Sequence, residues 1–483
     1  MTQLESVIGL EVHVELHTKT KLFCRCRTDF GAEPNTQVCP VCLGLPGGAL
    51  PVLNQKALAY AIKASLALNC RIAKEITFDR KNYFYADLPK GYQISQFFQP
   101  VGTKGYVEIE VDGKVKKIAI RQLHLEEDTG KLIHLGGILS SPYSRVDFNR
   151  AGVPLIEIVT EPDIRSAEEA RLFLQKLRDI LRYIDISDCK MQEGSLRCDA
   201  NVSVRPAGSD SLGNKTELKN MNSFRSVYQG IEYEINRQRE LVMRGESVLP
   251  ETRHWDEENE VTRAMRGKLA SADYRCFPDP NIPPLKVDSS WVEQLADSIP
   301  ELPDARLKRF VEDYGLPLRD AQLLTGSREL AEFLDATLAH YRQPKAVSNW
   351  IQGELLRLLN LENMGITSCK VKPQDLGRLL EMVDKGVISG KMAKDIWEEM
   401  FASGKGPETI VKEKGLVQIS DENILGQIVA EVIQENPNSV KDYLGGKKKA
   451  IGFLVGQVMK KTKGQANPQL VNKLLREKLT EGS

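Results

Sequence analysis

Near the start of the chain, polar residues that can bind a metal alternate with apolar ones. From Ile8 to Leu16 the apolar residues recur at every second position, and the residues between them include Glu11, His13 and Glu15. Successive side chains of a β-strand point to opposite faces, so these three groups are expected together on one face. Two carboxylates and an imidazole on one face can bind a metal ion or transfer a proton. The segment therefore predicts part of a metal or acid–base site.

Four cysteines supply a second, different set of metal ligands. One residue separates Cys24 from Cys26, and two residues separate Cys39 from Cys42. Four soft thiolates from two short loops suit tetrahedral zinc with no open coordination position, so the ion would pin the loops rather than catalyse. The alternative is four unliganded cysteines that happen to lie close together, but exposed thiols in such pairs are prone to oxidation. We predict a structural zinc site.

The acid–base site begun in the first strand needs ligands from other strands. Further along the chain, alternation places His124 and Glu126 on the same face of a predicted strand. Glu127 is a rival to Glu126, but adjacent residues of a strand face opposite ways, so only a bulge would let both take part.

Two more carboxylates lie on predicted strands. Asp199 is on a polar face, and Glu217 has a lysine two residues away on each side, on its own face. Oxygen ligands of this kind suit Mg²⁺, through which a nucleotide could bind. Taken singly, each carboxylate is explained as well by a charge that faces solvent. The candidate catalytic and magnesium-binding residues are Glu11, His13, Glu126, Asp199 and Glu217.

The segment from Arg80 to Gln96 interleaves cations with aromatic residues. Aromatic rings can stack on bases or ribose, and lysines attract phosphate. Core aromatics beside lysines whose charged ends reach solvent would give the same pattern, and the pattern alone does not decide between the two. The candidate substrate-binding residues are Lys81, Tyr83, Tyr85, Lys90 and Tyr92.

The composition is that of a globular protein with several domains. Of 483 residues, 41% are hydrophobic and 27% are charged, which is typical of folded domains, and the length exceeds one hydrophobic core. No stretch approaches the roughly 20 uncharged apolar residues of a membrane helix, and the first residues lack the features of a signal peptide. We therefore expect a cytoplasmic protein with reduced cysteines and no membrane partner.

The spacing of apolar residues predicts an α+β fold. Residues 1–295 show strand alternation with inserted helices, and Asp112-Gly113 predicts the turn of a hairpin. Residues 296–406 show helical spacing, and a Gly/Lys-rich segment then separates them from a helical tail of residues 407–483.

Charge is unevenly distributed along the chain. The net charge is zero, yet residues 437–483 carry ten Lys/Arg and only three Asp/Glu. A basic tail on an otherwise acidic protein is a reasonable footprint for nucleic acid. A solvated, lysine-rich helix face is the simpler alternative.

Two common catalytic motifs are absent from the sequence. It contains no Gly-x-x-x-x-Gly-Lys-Ser/Thr phosphate loop and no Gly-x-Ser-x-Gly nucleophile turn. Any use of ATP must therefore employ another architecture, and a nucleophile that would release ammonia from glutamine is not evident.

Eight segments form an ordered set of long motifs over the whole chain: 7–16, 78–85, 89–96, 123–128, 154–159, 193–201, 216–220 and 463–469. Together they resemble the B-subunit family of the bacterial glutamyl/aspartyl-tRNA amidotransferases. The archaeal relatives carry an inserted synthetase-like domain, and the length of this chain favours the bacterial three-subunit type.

This resemblance implies a fold, a reaction and partners. The fold would be a β-rich cradle, a helical domain and a small helical tail that touches tRNA. The protein would use ATP to phosphorylate the side-chain carboxylate of misacylated Glu-tRNA(Gln) or Asp-tRNA(Asn). Ammonia, released from glutamine by an amidase (the A subunit), would then displace the phosphate, and a small C subunit would join the two.

The resemblance also implies roles for particular residues. The five candidate catalytic residues match the family's metal-site positions, the segment from Lys81 to Tyr92 adjoins them, and only some members carry the cysteine set that is intact here. A different class stays open as the alternative: a zinc-stabilised tRNA-binding module that presents substrate while another subunit does the chemistry.

Overall fold

The structure is a computed structural model that describes residues 3–134, 143–265, 274–415, 422–445, 447, 449–462 and 465–481. The chain divides into two compact units, Met1–Leu302 and Pro303–Ser483. The three-domain division with boundaries at 295 and 406 stays a prediction. Within the basic tail, Lys448, Lys463 and Gly464 lie outside the described residues.

The first unit holds the sheets of the molecule. Its strands are β1 Leu4–Glu15, β2 Arg71–Ile72, β3 Glu75–Ile76, β4 Asp79–Asn82, β5 Tyr92–Ser95, β6 Gly102–Val111, β7 Lys114–Glu127, β8 Lys131–His134, β9 Ser144–Asp147, β10 Pro154–Thr160, β11 Leu196–Pro206, β12 Thr216–Lys219, β13 Glu251–Asp256, β14 Val261–Ala264, β15 Phe277–Pro278 and β16 Leu285–Lys286. Its helices are α1 Gln55–Ala67, α2 Ala167–Tyr183, α3 Phe224–Met243 and α4 Ser289–Asp297.

The strand β1 lies at the centre of the main sheet. Among the described residues this sheet has nine strands in the order β14-β13-β12-β11-β1-β10-β7-β6-β2. Both neighbours of β1 run antiparallel to it, and β12 and β13 form a parallel pair. A smaller sheet of β15, β4 and β5 carries the segment in which cations and aromatic residues alternate. Residues that are far apart in sequence are thereby placed side by side on one surface.

The two faces of β1 differ as the alternation predicts. Leu10, Val12 and Val14 are buried in the main core, to which α1, α2 and α3 contribute. Glu11 and His13 lie on the other face and are partly exposed. Since burial of the apolar face fixes the register of the strand, it also fixes which polar side chains share the opposite face.

The hairpin predicted around Asp112-Gly113 is confirmed and positions β7. Asp112 and Gly113 have φ angles of 50° and 74°, as a two-residue turn between twisted antiparallel strands requires. The turn joins β6 to β7, and β7 ends with His124, Glu126 and Glu127. The hairpin thus delivers a second set of polar residues to the sheet.

The second unit is built from helices. They are α5 Pro303–Glu312, α6 Leu318–Leu324, α7 Arg328–Leu338, α8 Pro344–Trp350, α9 Leu356–Leu361, α10 Pro373–Asp384, α11 Gly390–Ser403, α12 Pro407–Lys414, α13 Glu422–Glu435, α14 Pro437–Leu444, α15 Ala450–Lys461 and α16 Pro468–Glu481. A π-helical turn at Ile351–Leu355 and a 3₁₀ turn at Ile366–Ser368 complete the set. The strand-rich first part and helical second part confirm the predicted α+β class.

Two separate hydrophobic cores form within the second unit. One extends from Phe310 to Val411, and the other from Leu425 to Leu479. Ile410 and Val411 of α12 belong to the first of these cores, although the sequence places residues from 407 onward in the tail. In the described part of the chain, every helix is too short or too polar to cross a membrane.

Candidate active site

Residues on the polar face of the main sheet align in rows across the strands. In one row, His13 of β1 lies opposite Glu157 of β10 and Arg197 of β11, and Glu157 lies opposite His124 of β7. In the next row, Glu11 lies opposite Asp199. Directly opposed side chains in antiparallel strands are about 5 Å apart at their Cβ atoms. The sheet therefore gathers these residues without help from any loop.

His13, His124, Glu126 and Glu157 form a compact group that we call the histidine cluster. His13 Nε2 lies 3.7 Å from Glu126 Oε1 and 3.5 Å from Glu157 Oε2. His124 Nε2 lies 3.5 Å from Glu126 Oε2 and 3.0 Å from Glu157 Oε2. Ser95 Oγ of β5 donates a hydrogen bond of 3.1 Å to Glu126 Oε2. The cluster joins β1, β7 and β10, and Ser95 of β5 helps to orient the Glu126 carboxylate.

The charges of the histidine cluster are strongly coupled. Burial lowers the pKa of His124, but the Glu157 and Glu126 carboxylates outweigh burial and raise that pKa to about 10. The pKa of His13 is also raised, because Glu157 and Glu126 outweigh burial. Burial raises the pKa of Glu157, but the two imidazoles outweigh it and hold that pKa well below its usual range. The two carboxylates thus favour a positive charge between them, from an imidazolium or from a bound cation.

Glu157 is the site residue that the sequence interpretation missed. It is partly buried in β10, whose segment Pro154–Thr160 is otherwise uncharged. A charged side chain within a mostly buried apolar strand is rare unless it is paired. The sequence could have identified Glu157 as a candidate site residue by this feature. Among the described residues, one possible ligand atom from each of His13, Glu126 and Glu157 lies within 4.8 Å of the other two.

Glu11, Asp199, Glu217 and Lys219 form a second group, which we call the lysine cluster. Lys219 Nζ lies 2.7 Å from Asp199 Oδ2 and 2.9 Å from Glu217 Oε1. Thr252 Oγ1 donates to Glu217 Oε2 at 2.9 Å. Burial raises the pKa of Glu217, but the Lys219 ammonium outweighs burial and lowers that pKa below its usual value. The second group of predicted magnesium ligands thus already holds a cation of the protein itself.

Glu11 lies at the edge of the lysine cluster. Asn201 Nδ2 donates to Glu11 Oε1 at 2.9 Å. Burial raises the pKa of Glu11, and the Glu157, Glu217 and Asp199 carboxylates raise it further. The structure therefore places the five predicted residues on one face, with His13 and Glu126 in the histidine cluster and the other three beside it. That all five serve one magnesium ion stays a prediction.

Glu127 faces away from the histidine cluster, as alternation predicts. Its carboxylate pairs with the Lys90 ammonium, and Ile94 N donates to Glu127 Oε2 at 3.2 Å. Both side chains of the ion pair are at least nine-tenths buried. Glu127 therefore points away from the polar face, and Glu126 is the residue of this pair that lies beside His13.

Glu15, the third polar residue of β1, belongs to yet another group. Burial raises the pKa of Glu15 to about 8, and the neighbouring Asp128 carboxylate raises it in the same sense. Arg197 Nη2 donates to Asp128 Oδ2 at 2.7 Å, and Arg150 Nε lies 3.6 Å from the same oxygen. The buried Asp128 carboxylate and its two partly exposed arginines thus form an ion-pair group around Glu15.

The five predicted substrate residues divide into two sets. Lys81 Nζ lies 4.9 Å from the ring centroid of Tyr274, whose ring packs edge-on against Tyr83. Burial raises the pKa of Tyr83, and the Glu126 carboxylate raises it further, which places Tyr83 close to the histidine cluster. Tyr85 is half exposed. Of these three residues, Tyr83 is the one whose electrostatics link it to Glu126 of the histidine cluster.

Lys90 and Tyr92 lie instead towards the cysteines. Lys90 Nζ is 5.2 Å from the ring centroid of Tyr92, and the guanidinium carbon of Arg80 is 4.1 Å from it. Lys90 and Tyr92 line a cavity of about 180 Å³ whose wall also includes Lys21, Cys24, Cys42 and Glu127. Sequence spacing could not separate the two sets, because the division depends on the packing of β5 against the end of β7.

The sulfur atoms of Cys24, Cys26, Cys39 and Cys42 converge, and we call this group the cysteine tetrad. All four lie within 4.8 Å of one another, and Cys39 Sγ and Cys42 Sγ are 3.9 Å apart. Four sulfurs at the usual zinc–sulfur distance in a tetrahedron would be about 3.8 Å apart. Cys39 N also donates to Cys42 Sγ at 3.2 Å. The geometry fits one tetrahedral ion.

The loops of the cysteine tetrad are held by short-range structure. Thr20 and Arg27 form an antiparallel bridge that brackets Cys24 and Cys26. Gly44 has a φ of +66°, and a Cβ there would lie 2.6 Å from Lys90 Cγ. Only glycine accommodates both the turn and the close approach of Lys90.

Lys21 is fully buried beside the cysteine tetrad. Its exposed fraction is 0%, and its ammonium lies 3.6 Å from Cys42 Sγ and 3.2 Å from the Phe148 carbonyl oxygen. The Cys24 thiol and the Lys21 cation both contribute to lowering the pKa of Cys42 to about 4. A buried ammonium requires an anion close by, and Cys42 is the residue with a lowered pKa beside it.

Comparison with known proteins places the chain in a family. The model of the GatB/GatE catalytic domain matches residues 6–293, and that of the GatB domain matches residues 332–479. The B subunit of the aspartyl/glutamyl-tRNA(Asn/Gln) amidotransferase of Carboxydothermus hydrogenoformans is 59% identical over 100% of both chains. The proteins of the same name from Moorella thermoacetica and Brevibacillus brevis are 57% and 53% identical, over 99% of this chain and 100% and 99% of theirs. The chain therefore belongs to the family of aspartyl/glutamyl-tRNA(Asn/Gln) amidotransferase B subunits.

Proposed function

We propose that this chain is the component of a glutamine- and ATP-dependent amidotransferase that activates the amino acid on a misacylated tRNA. The substrates are Glu-tRNA(Gln), Asp-tRNA(Asn) or both, and the products are Gln-tRNA(Gln) and Asn-tRNA(Asn). It acts with the amidase, or A subunit, which releases ammonia from glutamine, and with a small C subunit. The observation that carries the proposal is the convergence of His13, Glu126 and Glu157 on a sheet face, in a chain of this family.

The reaction needs an activated carboxylate. A carboxylate oxygen of the aminoacyl side chain attacks the γ-phosphorus of ATP. The bond between that phosphorus and the oxygen of ADP breaks, and ADP leaves with its electron pair. Ammonia then attacks the acyl carbon, the bond from that carbon to the phosphate oxygen breaks, and inorganic phosphate leaves with the electron pair while the nitrogen loses a proton. Such a transfer depends on positioning and on neutralising the phosphate charges.

The donor set of the histidine cluster suits a divalent ion. His13, Glu126 and Glu157 would hold it, and His124 would lie next to it as a hydrogen-bonding partner of both carboxylates. A magnesium ion bound there would neutralise charge on the terminal phosphates of ATP. His13 could bind such an ion only in its neutral form, so metal and proton would compete for its Nε2 atom.

Other residues of the first unit would position the substrate. Ser95 holds the Glu126 carboxylate by its hydrogen bond. Lys81, Tyr83 and Tyr85 provide a cation and aromatic surfaces beside the site, which suits the terminal adenosine and phosphates of a tRNA. Lys90 and Tyr92 would have a supporting role. Lys90 pairs with the Glu127 carboxylate at the end of β7, and both residues line the cavity beside the cysteine tetrad.

The cysteine tetrad would hold a structural zinc ion. Support comes from Lys21, because an ammonium with no exposed surface needs strong negative charge beside it. Zinc bound by four thiolates carries two excess negative charges, and Lys21 would offset one of them. The ion would pin the segment that carries Gly44 against Lys90, and so would support the cavity wall.

The basic tail would bind the body of the tRNA. Its helices α13 to α16 form a core of their own, and exposed lysines such as Lys441 and Lys460 lie on them. Contacts of this type give affinity without reading sequence.

The test is ATP hydrolysis by the reconstituted complex, measured with and without misacylated tRNA. We expect misacylated tRNA to stimulate hydrolysis, and correctly charged tRNA to leave it at the basal rate. Binding of misacylated tRNA with no nucleotide turnover under any of these conditions would contradict the proposal. That outcome would favour a zinc-stabilised tRNA-binding module as the function of the chain.

A further inference from the structure

Lys219 occupies a position in the lysine cluster that a metal ion would otherwise take. Its ammonium contacts Asp199 at 2.7 Å on the facing strand and Glu217 at 2.9 Å on its own strand. Both carboxylates were candidate ligands for magnesium. The lysine therefore blocks the two oxygens from binding a divalent ion for as long as it stays in place.

The arrangement is not a neutral salt bridge. Glu11, Asp199 and Glu217 bring three negative charges, and Lys219 brings one positive charge. The remaining donors, Asn201 and Thr252, are neutral. Lys215 near Glu217 and Arg121 near Glu11 are further cations, but among the described residues only Lys219 bridges two of the carboxylates, so a divalent ion that displaces it finds oxygen ligands from two residues.

Lys219 is also able to move. The lysine side chain is 35% exposed, and the Asp199 and Glu217 side chains are 22% and 30% exposed. A lysine is a point charge on a flexible stem, without the two-pronged geometry by which arginine locks onto carboxylates. An ammonium that leaves Asp199 and Glu217 remains tethered to the same face of the sheet as the histidine cluster.

We propose that Lys219 is an exchangeable cation: it closes Asp199 and Glu217 to free metal, and it moves to the nucleotide's phosphates when ATP brings a divalent ion to these carboxylates. The proposal rests on the proposed function of the chain. The exchange leaves each charge with a partner, because the incoming ion replaces the ammonium at the carboxylates while the ammonium meets the incoming phosphates. Lys219 is thus a positioning residue in the empty enzyme and a phosphate ligand in the loaded one.

The first test is a titration of the purified complex with Mn²⁺ in the absence of nucleotide and tRNA, followed by electron paramagnetic resonance. At the lysine cluster, in addition to any ion that the histidine cluster holds, Lys219→Met and the polar variant Lys219→Gln should bind Mn²⁺ about tenfold more tightly than the wild type, since the competing cation is gone. Adding Glu217→Gln to Lys219→Met should abolish the gain. Lys219→Arg, which keeps the charge, should show no gain.

A matched control is Lys190→Met in the same unit. Lys190 also bridges two carboxylates, at 3.5 Å to Asp188 and 2.9 Å to Glu193, but its side chain and that of Glu193 are more exposed. We expect its removal to leave Mn²⁺ binding unchanged. Unchanged or weaker Mn²⁺ binding in both Lys219→Met and Lys219→Gln would overturn the proposal.

The second test is the dependence of turnover on ATP. Lys219→Met should raise the KM for ATP about tenfold and leave the KM for misacylated tRNA unchanged, because the phosphates then lack one charged partner. An unchanged KM for ATP would overturn the transfer of Lys219 to the phosphates. The Mn²⁺ titration requires no turnover, so it tests Lys219 separately from the proposed function. If Lys219→Met gains Mn²⁺ affinity but the wild-type complex shows no tRNA-stimulated ATP hydrolysis, only the proposed function is contradicted.

Discussion

The cysteine tetrad and the polar face of the main sheet are two candidate metal sites built on opposite principles. The tetrad draws its ligands from residues 24–42, on two loops, and the polar face draws its ligands from β1, β7, β10, β11 and β12. In the tetrad, the ligands are alike, close and local. On the polar face, each ligand depends on the register of a different strand.

This difference should appear in how the two sites respond to change. A local site can lose its metal while the sheet stays intact, because its ligands lie in loops. A site on a sheet face can lose its ion while its framework stays intact, because the buried side of each strand fixes the fold. We expect the two sites to fail independently.

The double variant Cys24→Ser/Cys42→Ser should lose about one zinc ion per chain, because four thiolates hold one ion and serine oxygens do not replace them. Metal analysis of the purified chain measures the loss. Cys369→Ser, which lies in the second unit, is the control and should retain the metal. If the chain carries no zinc before mutation, the tetrad is not a metal site.

Glu126→Gln should lower tRNA-stimulated ATP turnover by about 10³-fold, because it removes one charged ligand at the point where phosphate charge must be neutralised. The zinc content should stay the same. Circular dichroism and thermal unfolding establish that the fold is retained. Full turnover in Glu126→Gln would show that the histidine cluster does not serve the reaction.

Glu127→Gln tests whether the two adjacent glutamates at the end of β7 have different roles. It leaves the buried Lys90 ammonium without its carboxylate, so the free energy of unfolding should fall by about 3 kcal/mol. Mn²⁺ affinity should not change, because Glu127 points away from His13. Denaturant unfolding and an Mn²⁺ titration measure the two effects. The reverse pattern, weaker Mn²⁺ binding at unchanged stability, would place Glu127 rather than Glu126 at the ion.

Removal of the tail tests the weakest of the expected contributions. A chain truncated after Gly415 keeps the core that ends at Val411 and loses the helices from α13 onward. It should bind misacylated tRNA about tenfold more weakly. The slope of log affinity against log salt concentration should also become shallower, by about 0.7 to 0.9 for each phosphate that is no longer neutralised. Binding isotherms at several salt concentrations measure both. An unchanged slope would leave the tail without a role in tRNA binding.

The sequence predicts the local features of the molecule well. Cys-x-Cys and Cys-x-x-Cys spacing identifies the tetrad before any fold is known, and alternation correctly assigns Glu126 to one face and Glu127 to the other. The turn at Asp112-Gly113 is equally local, since its backbone conformation depends on two residues. In each case the information lies within a few residues of the feature.

What the sequence could not supply is the pairing of distant strands. Glu157 meets His13 only because β10 pairs with β1 in one register, and a shift by one residue would turn it into the core. The same holds for Lys219, which reaches Asp199 through the pairing of β12 with β11. The lysines beside Glu217 were visible in the sequence, but their partners were not.

The most direct test of the central claim is the location of Mn²⁺ by anomalous X-ray scattering in crystals of the complex grown with Mn²⁺ and a non-hydrolysable ATP analogue. We predict an anomalous peak bonded to His13, Glu126 and Glu157 and adjacent to the terminal phosphates. A nucleotide bound with its Mn²⁺ elsewhere, and no peak at these three side chains, would contradict the account.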